Sequence, residues 1–288
     1  MTRALVIESP GPLALVEDLG RPGFAHLGVT GSGALDRGAA RLANRLVGNP
    51  DGAAIAEVLV GGFRARFTGG ACWFAVTGAW GPVTLDGRPV APYTAALAPD
   101  GGVLELGPAV RGLRYSLAVR GGLDEAPVLG SRSRDTLAGL GPEPLAAGRV
   151  LAIGGEPEAS VPLIDQEAAF APPDGAVTVA LLPGPRADWF TEAAGATLFD
   201  ARWRLSEQAD RIGARLLGPV LERRVRGELA SEATVPGSIQ VAGDGRPTIL
   251  LADRPVTGGY PMIAIVAGSS LDAVAQLRPG QELRFRHA

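Results

Sequence analysis

Turn-forming residues interrupt this chain every few positions, and the apolar runs between them are short. The 288 residues include 41 glycines and 24 prolines, above ordinary usage and spread along the chain instead of gathered in one tract. An apolar run of four to seven residues bounded by such punctuation fits a strand and is too short for a buried helix. Runs of this kind occupy 4–7, 53–59, 63–67, 73–76, 103–106, 114–119, 177–182, 249–252, 262–266 and 282–286. In one of them Phe63, Ala65 and Phe67 alternate with Arg64 and Arg66, so one face turns inward. The expected fold class is therefore mainly β, with few short helices.

Helical periodicity is clear only at 36–47, where Leu35, Ala39, Leu42 and Leu46 form one stripe and Arg37, Arg41 and Arg45 the opposite one. Asp36 or Ser32 can cap its start, and Gly48 before Asn49-Pro50 ends it. A second short helix is expected at 269–276, with Ser269 and Asp272 spaced as a capping box.

Charge and residue content exclude several functions. Twenty-seven basic residues stand against 30 acidic ones, and no basic stripe exceeds the cluster Arg223, Arg224 and Arg226, so nucleic acid is not an expected partner. Every basic residue is arginine. The chain thus offers no Schiff-base amine, no biotinylated lysine and no P-loop lysine. Cys72 lies in the apolar stretch ACWFAV and reads as a small buried hydrophobe. Only His26 and His287 could add to a metal site, and no ligand spacing is present. No apolar run approaches the length of a membrane span. One cysteine and no leader-like start together give a cytoplasmic expectation.

Residues 155–176 are rich in Pro, Glu and Ala and lack strand periodicity. They divide the chain into an expected N-terminal domain at 1–158, a linker at 159–174 and a C-terminal domain at 175–288. A faint internal echo agrees with this division. ALDRGAARLANRLVG at 34–48 resembles QADRIGARLLG at 208–218, and LAAGRVLAIG and LRPGQELRF each place a turn before a closing strand. The echo suggests two related β-barrel domains.

The richest segment is 228–266, where ADRPVTGGYP joins two strand-like runs. A reversal alone needs two residues such as Asn-Gly. This loop also carries a carboxylate, a guanidinium, a hydroxyl and a phenol, which points to a polar cleft at a strand end. In GSRSRDT at 130–136, guanidinium forks and hydroxyls beside Gly130 suit a carboxylate or phosphate, and Asp135 can pair with either arginine. Asp210-Arg211 and Asp253-Arg254 repeat one dipeptide and can each form an ion pair. Gln240, at a strand end, can meet a lactam or urea with its paired donor and acceptor. No G-x-S-x-G elbow and no Ser-His-Asp set is present, so acid–base work falls to carboxylates or Tyr260.

These motifs, with EDLGRPGFAHLGVTGSGALDRGAARLANRLVGN at 17–49, RGGLDEAPVLGSRSRDTLAGLG at 120–141, LLPGPRADWF at 181–190 and SEQADRIGARLLGP at 206–219, resemble in order and spacing the KipA family, also called allophanate hydrolase subunit 2. The resemblance implies two cyclophilin-like β-barrels. It also implies a subunit of an ATP-dependent amide hydrolase of the 5-oxoprolinase type, inactive without a KipI-like partner and a LamB/YcsF-like subunit. ATP would serve the whole complex by activating the amide oxygen, without a defined site on this chain. Alternatives are a carboxyltransferase component of a urea carboxylase system, with biotin on another chain, or a non-catalytic binder of a KipI-like kinase inhibitor. The expected catalytic residues are Asp253 and Tyr260. The expected substrate contacts are Ser131, Arg132, Arg211, Gln240, Arg254, Gly258 and Gly259. In this family TGGYP is often followed by lysine, and here Met262 takes that place.

Overall fold

A computed structural model describes residues 2–163 and 171–288. Each of the ten runs read as strands from the sequence overlaps a strand, although Leu251 and Ala252 lie beyond the strand Pro247–Leu250, and the expectation of a mainly β chain is met. Two compact units emerge, and neither is one continuous stretch. Among the described residues the first comprises 2–21, 36–134, 139–163 and 171–172, and the second 22–35, 135–138 and 173–288. Residues 22–35 and 135–138, within the span expected for the N-terminal domain, thus pack with the C-terminal unit. Part of the expected linker, residues 164–170, lies outside the described residues.

In the N-terminal unit a six-stranded and a five-stranded sheet enclose one core. Leu5, Phe67, Phe74, Leu104 and Tyr115 are fully buried there, and each such side chain contributes about 1.5–3 kcal/mol through area removed from water. The helix α1 spans Arg37–Leu46, with Asp36 as its N-cap accepting from Ala39 N at 2.8 Å. Its buried face is Ala39, Ala40, Ala43, Asn44 and Leu46, so the stripe is rotated from the expected one. Leu35 leaves it altogether and joins the core of the C-terminal unit.

The C-terminal unit closes as a seven-stranded barrel in the order 177–183, 262–266, 238–241, 247–250, 213–217, 203–205 and 282–287. Closure comes from the parallel pairing of Val177–Pro183 with Glu282–His287. Val179, Trp203, Ile239, Ile249 and Leu283 fill the interior. His287 stacks on Phe199 with ring centroids 3.9 Å apart.

Three local details depart from what the sequence alone shows. The helix read at 269–276 is a 3-10 turn, Gly268–Ser270, followed by α3, Leu271–Ala275, and has no side-chain cap. Ser270 Oγ accepts from Ala180 N instead, which ties the turn to the barrel. A helix at Glu192–Asp200, α2, escaped the sequence reading because its stripe is weak, although Thr191 caps it through Ala194 N. The echo also breaks down. Asp36-Arg37 opens a helix, whereas Asp210-Arg211 makes a turn into the strand Gly213–Leu217.

Candidate functional site

Three polar assemblies carry the residues singled out from the sequence. The first surrounds Asp253 in the C-terminal unit. Asp253 is fully buried, and both of its oxygens accept hydrogen bonds. Oδ1 accepts from Ser32 Oγ at 2.6 Å and Arg211 Nη2 at 3.3 Å. Oδ2 accepts from Arg211 Nε at 2.9 Å, Thr136 Oγ1 at 2.7 Å and Thr136 N at 3.0 Å. Arg211 Nη2 also donates to Gly33 O at 2.7 Å. Burial alone would raise the Asp253 pKa. The Arg211 charge and the surrounding donors outweigh it and hold the group below its ordinary value.

The two Asp-Arg dipeptides therefore do not pair internally, as the sequence suggested. The base of the first, Arg211, meets the acid of the second, Asp253. Asp210 Oδ1 accepts from Ile212 N and Gly213 N, and Arg254 donates to Thr30 Oγ1 and Thr234 O. A fully enclosed carboxylate with five donors on it is suited to positioning three chain segments. Its surroundings favour that role over the proton transfer expected of it.

The second assembly lies on the outer face of the barrel. The strands Pro247–Leu250 and Met262–Val266 both flank Ser238–Val241 and do not pair with each other. The loop joining them accordingly crosses the end of the intervening strand and brings Tyr260 beside Gln240, whose Nε2 donates to Tyr260 O at 3.2 Å. A Cβ on Gly258 would stand 2.6 Å from that Nε2, so glycine there leaves room for the amide. Gly259 has no comparable crowding.

A cavity of about 500 Å³ opens beside this contact. Arg215 pairs with Thr248, and Thr248 with Gln240, across three adjacent strands. Directly opposed residues on antiparallel strands share a face, and the neighbours Ala214, Ile249 and Ile239 fill the barrel interior. Arg215, Thr248 and Gln240 thus form an outward row that floors the cavity, with Tyr260 and Pro255 also lining it. Arg211, Asp253, Arg254, Gly258 and Gly259 do not line it. The row was missed from the sequence. Each strand shows its alternation, but only the pairing register reveals that these three polar positions coincide.

The third assembly is in the N-terminal unit, where the 130–136 loop begins. Asp18 Oδ1 accepts from Ser131 Oγ and Ser133 Oγ, both at 2.6 Å, and Oδ2 from Arg132 N at 2.7 Å. Arg21, buried, donates to Ser133 O and Val128 O. Ser131 is thereby enclosed, with its hydroxyl committed to Asp18. The Arg132 side chain, half-exposed, reaches Asp124 Oδ1 at 3.0 Å and lines a cavity of about 310 Å³ with Pro50, Gly121, Gly122 and Pro157. Asp135 pairs with neither neighbouring arginine. Its Oδ1 caps the following turn by accepting from Leu137 N and Ala138 N, while Arg134 meets Glu143.

Among the described residues no group of His, Cys, Asp and Glu could hold a metal ion. Among them too, no helix is long and apolar enough to cross a membrane.

Comparison with known proteins places these features in context. Residues 27–287 match the family described as carboxyltransferase domain, subdomain A and B. The chain is 36% identical over 290 residues to a 5-oxoprolinase subunit of Escherichia coli (strain K12), covering 98% of this chain and 90% of that protein. It is 31% identical over 310 residues to the urea amidolyase of Lachancea kluyveri, covering 98% of this chain and 17% of that protein. The crystal structure of TTHA0988 superposes with a TM-score of 0.88 at 38% identity, and the alignment covers 99% of this chain and 56% of that one. The present chain thus spans about half the length of that solved structure.

Proposed function

This chain belongs to the carboxyltransferase family of subdomains A and B, and we propose from that premise that it is one subunit of an ATP-dependent amide hydrolase that opens 5-oxoproline to glutamate. The supporting observation is the end-to-end correspondence with the Escherichia coli 5-oxoprolinase subunit, at 98% of one chain and 90% of the other. A KipI-like protein and a LamB/YcsF-like protein would complete the enzyme. The lactam is a stable amide, and phosphorylation of its oxygen at the expense of ATP makes the carbonyl carbon open to water. No lysine is present to form a P-loop here, so the chain's own contribution is to bind and orient. Two places offer the groups for that work: the Arg132 fork in the N-terminal unit, and the cavity beside Gln240 and Tyr260 in the C-terminal unit.

Co-purification with a KipI-like and a LamB/YcsF-like protein of the same organism, followed by assay of 5-oxoproline-dependent ATP hydrolysis and glutamate release, tests this reading. Activity that disappears when this chain is omitted is the expected result. An assembled complex without activity would overturn it.

A second reading, carboxyl transfer to a urea-like amide, draws on the 31% identity to urea amidolyase over 98% of this chain. Biotin would then be carried on the lysine of another polypeptide, since this chain has none. Bicarbonate-dependent ATP turnover with a biotinylated partner would favour it.

A further inference from the structure

We propose that the cavity on the outer face of the C-terminal barrel binds a small amide that also carries a carboxylate, with the amide N–H on Gln240 Oε1 and the carboxylate on Arg215. The identity of the ligand, 5-oxoproline, rests on the amide-hydrolase reading; the chemistry of the site does not.

The argument starts from Gln240. Only 7% of the residue is exposed, and it lines the cavity. Its side-chain orientation is fixed by one bond. A carbonyl oxygen can only accept, so the group facing Tyr260 O must be the amide nitrogen. The oxygen is turned the other way and accepts nothing from the described residues. A ligand N–H entering the cavity can therefore meet this oxygen without any rearrangement of the amide.

Arg215 stands two strands away in the same outward row, roughly 10 Å between backbones. Thr248 lies between them and is short enough for the long arginine side chain to reach back across it. Arg215 Nη1 donates to Gln208 Oε1 at 3.1 Å, which steadies the guanidinium and leaves its other donors available. A planar fork of this kind suits a carboxylate better than a point charge does.

Charge and size narrow the ligand further. Arg246 adds a second guanidinium at the rim, and Asp210 and Asp244 offset the pair. One oxygen of each acid is committed to backbone N–H groups, from Ile212 and Gly213 for Asp210 and from Arg246 for Asp244. A balanced cavity of about 500 Å³ falls within the range of small-molecule sites. It suits a monocarboxylate and disfavours a nucleoside triphosphate with several negative charges.

The test uses the full chain, alone and in its complex with the KipI-like and LamB/YcsF-like proteins. Binding of 5-oxoproline and of 2-pyrrolidinone, the same lactam without the carboxylate, is measured by calorimetry or ligand-observed NMR. The wild type is expected to prefer 5-oxoproline at least tenfold, and Arg215→Ala to erase that preference while leaving 2-pyrrolidinone binding unchanged. Arg215 is exposed, so the variant should fold, and a thermal melt checks this. Gln240→Leu is expected to weaken both ligands. Absence of saturable binding in both chain and complex, or 5-oxoproline affinity unchanged in Arg215→Ala, overturns the site. An active complex whose KM for 5-oxoproline is unaffected by Arg215→Ala also overturns it and leaves the function standing. Arg215-dependent binding in a complex that does not turn over 5-oxoproline supports the site and removes the function.

Discussion

Asp253 and Gly258 stand five residues apart in one loop and make opposite predictions. Asn in place of Asp253 keeps the shape but removes the charge that pairs with the 3%-exposed Arg211 side chain, and removing one partner from a buried pair costs about 3–5 kcal/mol. Urea denaturation of Asp253→Asn at neutral pH should show a loss of that size; a midpoint near wild type would mean the pair contributes little. The same carboxylate gives the chain an acid dependence. Its folded pKa is depressed, so its contribution is complete above the ordinary value of 3.8 and is lost as pH falls through the folded value. Wild type should therefore lose more stability on acidification below about pH 4 than Asp253→Asn does. Gly258→Ala should behave differently. The added methyl meets the amide end of the Gln240 side chain, which must shift and give up its bond to Tyr260 O, while the backbone of the loop keeps its course. Its expected signature is near-normal stability with weakened ligand binding, read from paired melting and titration measurements.

Short elements show where a single sequence speaks plainly and where it does not. Apolar runs cut by Gly and Pro locate strands because burial and chain reversal are both local demands, and 103–106 and 262–266 were delimited to the residue. Asp36 could be read as a cap because capping needs only its own helix. Asp36→Ala should cost about 1 kcal/mol. It should also lower the pKa of Tyr93, which burial first and the Asp36 charge second push up to about 12, and spectrophotometric titration of the phenol would follow that change. Two-residue strands such as Arg88–Pro89 and Thr257–Gly258 were not legible, since so brief a segment carries no periodicity and owes its form to its partner. For the same reason the exchanged pairing of Arg211 with Asp253 lay beyond the sequence. Forty-two residues separate them, and only the antiparallel pairing of Gly213–Leu217 with Pro247–Leu250 brings the two together. Gln240 and Tyr260 could be picked out by chemistry alone, but the row that joins Gln240 to Arg215 depends on register.

At the scale of the whole molecule, the chain is not simply two consecutive domains. The C-terminal barrel draws on residues far upstream. Leu35 enters its core, Ser32 and Thr136 donate to Asp253, and Thr30 donates to Ala252 O at 3.0 Å. A fragment of residues 173–288 would retain every barrel strand and lose all four of these contributions. Removing Ser32 and Thr136 leaves Asp253 and Arg211 to satisfy each other in a half-opened site, and a partly satisfied buried network is worse than none. Losing Leu35 from the core adds about 2–5 kcal/mol by analogy with truncating a buried leucine, against a total stability of about 5–15 kcal/mol for a typical domain. The fragment should therefore lack a cooperative melting transition and show poorly dispersed amide resonances, whereas the full chain should show both properties of a folded protein. A fragment that melts sharply and gives a dispersed spectrum would mean that the barrel's own strands suffice, and that the upstream segments are passengers on a fold complete without them.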